Sequence, residues 1–87
     1  MKKRLMMFYG KECSHCHDME PLVKKLEKEQ KIKIERMEVW HNSKNSSQMI
    51  ELSHGECIEV PFFFNDNTGK SVCGSTDYKK LKEWALG

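Results

Sequence analysis

The chain has 87 residues in one composition regime, which leaves room for a single domain spanning residues 1–87 and excludes an architecture of several cores. Charged residues make up 32% of it, yet the net charge is only +2, so the surface should be well solvated without the one-sided basic field that nucleic-acid binding relies on. No apolar run approaches membrane-spanning length, and Leu5 to Tyr9 passes straight into Gly10-Lys11-Glu12 where a secretory leader would continue its apolar core. A cytoplasmic monomer that binds neither nucleic acid nor membrane is the expectation.

At the amino terminus Lys2-Lys3-Arg4 reads as a solvated strand end. Leu5-Met6-Met7-Phe8-Tyr9 follows, a short continuous apolar run closed by Gly10, which predicts a strand buried on both faces and aimed at the first cysteine. From Cys13 onward Cys16, Met19, Leu22, Val23 and Leu26 recur at helical spacing, with Lys24, Lys25, Glu27 and Lys28 on the wet face. Ile32 to Trp40 is rich in strand formers, but its apolar phase slips between Ile34 and Met37, predicting a bulge or an edge position.

Asn42 to Ser47 reads as a loop ending in a cap for a short helix that carries Met49, Ile50 and Leu52 and stops near Gly55. Val60 to Phe64 and Lys70 to Cys73 flank Asn65-Asp66-Asn67-Thr68-Gly69 as the two arms of a β-hairpin. Ser75 or Thr76 would cap a last helix with Tyr78, Leu81, Trp84 and Ala85 on one face and Asp77 near its positive end. Trp40, Trp84 and Phe62-Phe63-Phe64 are assigned to the core. The order is β-α-β-α-β-β-α: an α/β chain whose four strands form a mixed sheet flanked by helices.

The chemistry concentrates in Cys13-Ser14-His15-Cys16, since four cysteines at uneven spacing in a reducing compartment argue for reactive thiols over a structural disulfide framework. With Cys13 at the start of a helix, free backbone N–H groups and the positive dipole end would favour thiolate, as in helix-terminal C-x-x-C pairs, whose pKa falls from about 8.5 to roughly 3.5–7.5. Cys13 is then the nucleophile. Cys16, one turn later, is the resolving thiol: Cys13 attacks a substrate disulfide and Cys16 displaces the reduced product from the mixed disulfide. His15, when protonated, would stabilise the thiolate and make the pair more oxidising. His17 reads as a solvated helix residue, and His41 and His54 receive no role.

Pro21 lies inside an otherwise good helix, five residues after Cys16, at a cost that calls for a reason. Cys13-Ser14-His15-Cys16 with Pro21 resembles the active-site helix of the thioredoxin superfamily, including the C-x-H-C form of protein disulfide isomerases. Val60-Pro61 resembles the loop whose cis-proline faces the dithiol there. The resemblance covers essentially the whole chain and implies a thioredoxin-like fold, in size and order similar to the glutaredoxin branch. It implies a thiol–disulfide oxidoreductase that serves protein or small-molecule disulfides, needs no bound cofactor, and takes electrons from a thioredoxin reductase or from glutathione. Pro61 would shape the substrate groove and Val60 would offer its backbone. Lys11, Val60, Gly74 and Asp77 stand where glutaredoxins hold glutathione, although Cys73 replaces the first of the usual paired glycines.

Cys57 and Cys73 read, one by one, as small buried apolar side chains. The alternative is that Cys13, Cys16, Cys57 and Cys73 converge on zinc or a [2Fe–2S] cluster, for which four thiolates suffice.

Overall fold

The structure is a computed structural model that describes residues 4–87, so Lys2 and Lys3 lie outside the described residues. Its centre is the apolar run read from the sequence, strand β1 (Leu5–Tyr9), whose first four residues are all buried. β1 pairs in parallel with β2 (Ile34–Glu38) and antiparallel with β3 (Phe62–Asn65), which carries β4 (Ser71–Cys73) on its far side. The sheet order is β2-β1-β3-β4, so β2 is an edge strand. Its register with β1 runs unbroken from Leu5↔Ile34 to Tyr9↔Glu38. The slipped apolar phase therefore reflects a half-covered edge and no bulge.

Helix α1 (Ser14–Gln30) buries Cys16, Met19, Val23 and Leu26 and carries Pro21 on an exposed position near its middle. It is tied to the edge strand by Arg36, which donates to Glu20 Oε1 at 2.8 Å and to Glu27 Oε2 at 3.1 Å. Burial pushes the Glu27 carboxyl up, but the Arg36 guanidinium and the Ile34 N–H outweigh it and leave the group below its usual range.

Helix α2 (Ser43–Ser53) begins earlier than the sequence reading placed it. Asn42 is the N-cap, its side chain accepting from Asn45 N at 3.0 Å, and the polar Ser43–Ser47 stretch is the solvated first turn and a half of the helix instead of a loop. Helix α3 (Tyr78–Leu86) is capped by Asp77, which accepts from Lys80 N at 2.8 Å, so neither Ser75 nor Thr76 serves. Because that cap satisfies an otherwise orphan N–H at a helix start, Asp77→Ala should cost about 1 kcal/mol, read as a lower urea midpoint with unchanged slope.

α1 and α3 lie together against one face of the sheet, where Phe63 meets Trp84 edge-on at 5.3 Å. The opposite face holds Phe8, Phe62 and Phe64 in a row, Phe8 tilted against Phe62 and Phe62 stacked with Phe64, which with Phe62 lies beneath α2. Asn65, read as a turn residue, is the buried end of β3: its Nδ2 donates to Trp84 O at 2.8 Å and its Oδ1 accepts from Asn67 N at 2.8 Å. Trp40 departs from its expected core place, being 53% exposed on the turn that follows the edge strand.

A further departure concerns the two outlying cysteines. Cys57 and Cys73 form a disulfide across a sequence separation of 16, so they are neither independent buried hydrophobes nor free thiolates. Closing a loop of that size restricts the unfolded chain by about 3 kcal/mol in the loop-entropy account.

Candidate active site

Cys13 is itself the N-cap of α1. Its extended backbone (φ −81°, ψ 114°) turns Sγ back to accept from Cys16 N at 3.2 Å, so a thiol stands where serine or aspartate ordinarily caps. The sulfur thus faces the N–H groups and positive dipole end that a helix presents to a negative group. On its other side Sγ lies 3.7 Å from Val60 O, to which the thiol donates. The peptide between Val60 and Pro61 is cis.

Cys13 and Cys16 are the free cysteines, both buried. Cys13 forms the floor of an open cleft of about 390 Å³ whose walls include His15, Trp40, Ile58, Glu59 and Val60. Cys16 faces away, into a second cleft shared with Tyr9, Glu20 and Arg36. Burial pushes the Cys16 thiol up to about 12, aided by its neighbour Cys13. In reduced protein near neutral pH, iodoacetamide should therefore modify Cys13 and spare Cys16, with Cys16 labelling rising only as pH climbs toward that value. Peptide mass after timed alkylation reads the difference.

Two glycines allow this arrangement. A Cβ on Gly10 would stand 2.3 Å from the Trp40 ring, so only glycine lets the indole lie across the chain just ahead of the cysteines. Gly74 has φ +89° and donates its N–H to Pro61 O at 2.7 Å, which fixes the turn after β4 beside the proline loop.

Of the residues picked from sequence, Cys13, Cys16, His15, Val60 and Pro61 come together, with Gly74 behind Pro61. Lys11 is exposed and meets its neighbours through its backbone: its N–H donates to Glu38 Oε2 at 3.0 Å and its carbonyl accepts from His17 Nε2 at 2.9 Å. Asp77 has its carboxylate engaged as the α3 cap. The set of four thiolates does not assemble, because the Cys57–Cys73 bond removes two of them; among the described residues no cluster of three or more His, Cys, Asp or Glu could hold a metal ion.

Sequence reading missed Glu38 and the Glu12–His41 pair. The Glu38 carboxylate gathers the N–H groups of Lys11, Trp40 and His41, the last at 2.7 Å, and so pins the turn bearing Trp40 to the segment entering Cys13. Desolvation pushes Glu38 up, but those three donors together outweigh it and hold the group below the usual carboxylate range. Glu12, on the cleft rim, binds His41 Nε2 at 2.8 Å and raises the His41 pKa. A strand end followed by a tryptophan gives no pattern from which such an acceptor could be read.

A capping cysteine, a buried partner one turn on and a cis-proline loop across from them define a dithiol protein of thioredoxin fold. The family model described as Thioredoxin matches residues 1–86, and the chain belongs to the thioredoxin family, a family of redox enzymes. Solved structures agree in fold. Thioredoxin from Aeropyrum pernix aligns with a TM-score of 0.72 at 20% identity, covering 97% of this chain and 73% of that one. Thioredoxin 1 from Thermosipho africanus aligns with a TM-score of 0.73 at 19% identity, covering 95% and 90%. Reduced desulfothioredoxin from Desulfovibrio vulgaris Hildenborough aligns with a TM-score of 0.65 at 18% identity, covering 99% and 81%. No curated relative matches the chain. Among the described residues no helix is long and apolar enough to cross a membrane.

Proposed function

We propose that the protein exchanges disulfides through Cys13 and Cys16, with protein disulfides as substrates. The observation that carries this reading is the cap: Cys13 Sγ accepts from Cys16 N at 3.2 Å at the floor of a cleft, while Cys16 lies buried outside that cleft. As thiolate, Cys13 attacks one sulfur of the substrate; the substrate S–S bond breaks, and the departing sulfur takes a proton from solvent. The mixed disulfide leaves Cys13 without charge or proton. That removes its contribution to the high pKa of Cys16, so the second thiol ionises more readily at the step that uses it. Cys16 then attacks Cys13 Sγ, the bond to substrate breaks, and the second substrate thiol departs with the Cys13–Cys16 disulfide left behind. No acid lies on β1; Glu20, bound to Arg36, is the acid that shares the cleft with Cys16.

The Val60 N–H meets no main-chain acceptor among the described residues, which leaves it for an extended substrate segment. Trp40, 53% exposed, and Ile58, 93% exposed, give that segment apolar contact. His15 on the rim tunes the oxidising strength. A thioredoxin reductase or glutathione returns the pair to dithiol, glutathione lying along Lys11, Val60, Gly74 and Asp77. The reaction needs no bound cofactor, and the setting is the cytoplasm, with the protein a monomer. The test is reduction of a protein disulfide under a dithiol reductant, with thiols trapped and assigned by peptide mass. Turnover with Cys13 and Cys16 alternating between free and bonded supports the reading; catalysis with both permanently alkylated overturns it.

A further inference from the structure

The Cys57–Cys73 bond takes no part in the exchange described above, yet it joins the two segments that bear on Cys13. Cys73 is held firmly, since it pairs with Phe62 in the sheet and its neighbour Gly74 donates to Pro61 O at 2.7 Å. Cys57 is held differently. It lies between the end of α2 and the start of β3, and among the described residues no bond between two main-chain groups ties residues 57–60 to the rest of the chain. Beyond the burial of Cys57 and Val60, the long contact from the Cys13 thiol to Val60 O at 3.7 Å and the Glu59 carboxylate lying against Gly74, the disulfide is the one covalent tie on this segment, which carries Ile58, Glu59 and Val60 over the reactive thiol. The bond is also reachable: Cys73 is exposed, and both cysteines line an open cleft of about 660 Å³ beneath α2.

We propose that Cys57–Cys73 is a second redox centre, opened by dithiols through attack at Cys73, and that its state sets how firmly the cleft over Cys13 holds protein substrates. The second half rests on the Cys13–Cys16 reading. A thiolate of the dithiol attacks the sulfur of Cys73 from the open cleft; the Cys57–Cys73 bond breaks, and Cys57 departs and takes up a proton. The second thiol of the reductant displaces Cys73 from the mixed disulfide, so the dithiol becomes a disulfide while Cys57 and Cys73 gain two electrons and two protons. A buried leaving thiolate is disfavoured, so a single thiol attacking Cys73 tends to be expelled again and a dithiol is the competent reductant. In the reducing setting proposed above, an exposed disulfide of this kind cycles.

The test is a titration of the folded protein in graded ratios of reduced to oxidised dithiothreitol, with alkylation and peptide mass assigning each pair. The expected result is a separate two-electron transition for Cys57 and Cys73, with the circular dichroism of the folded chain retained when all four thiols are free. Cleavage after Glu59 by a glutamate-specific protease then becomes faster. The Cys57→Ser/Cys73→Ser double variant should raise KM for a protein disulfide severalfold and leave the rate of Cys13 toward a small aromatic disulfide unchanged. A bond that opens only when urea unfolds the chain overturns the proposal, as does an unaltered KM in the folded double variant. If Cys57 and Cys73 cycle while Cys13 and Cys16 do not, the second centre stands and the functional reading falls.

Discussion

Cys13→Ser should reduce turnover of a protein disulfide to the uncatalysed background, and Cys16→Ser should convert the protein into a trap that accumulates mixed disulfides. The two outcomes differ because the two sulfurs are differently placed. Cys13 sits at the cleft floor, so a substrate disulfide meets it first. A serine there could still cap α1, since its hydroxyl accepts from the same N–H, so the fold should survive and the loss be chemical. Cys16 is buried and lies outside the cleft that Cys13 floors, so it acts on the bond that Cys13 has already made. Without it the first step proceeds, but release waits on an external thiol. Non-reducing mass measurement of each variant incubated with a protein disulfide distinguishes the cases. Wild-type turnover in Cys13→Ser, or no adduct with Cys16→Ser, would reverse the assignment of roles.

How much of this was legible in the sequence varies with the physical origin of each feature. The Leu5–Tyr9 strand, the amphipathic α1 and the hairpin around Asn65–Gly69 were read correctly because each is dictated by local apolar period and turn chemistry. The start of α2 was misread since its first turns are wholly polar. Asparagine and serine favour turns and caps equally, and only the bond from Asn45 N to Asn42 shows which side of the stretch is helical. The Cys57–Cys73 bond was invisible for another reason. Pairing depends on β4 lying beside Phe62 while an irregular segment returns over it, and neither residue's neighbours encode that meeting. Trp40 reads inward from its place at the end of a strand-forming run with apolar neighbours. It projects outward because β2 is the sheet edge and ends at Glu38, whose carboxylate fixes the turn that displays the indole.

Phe63→Ala should be among the most damaging changes to stability, at about 3–5 kcal/mol for a fully buried aromatic side chain. Phe63 has no solvent exposure, stands opposite Met7 on one side and Val72 on the other, and packs edge-on against Trp84 at 5.3 Å. It therefore joins both halves of the sheet to α3, and truncation leaves a void bounded by strands that cannot close on it without shifting their ladders. Small domains have about 5–15 kcal/mol in total, so the variant should unfold at far lower urea than the parent. Phe64, one residue on, points to the opposite face and is only half-buried beside the cleft under α2, so Phe64→Ala should cost markedly less. Urea unfolding of the two variants side by side checks the facing of β3 as well as the magnitude. Equal losses would mean that Phe63 and Phe64 are buried alike, and that the sheet does not present Phe63 to α3 as described.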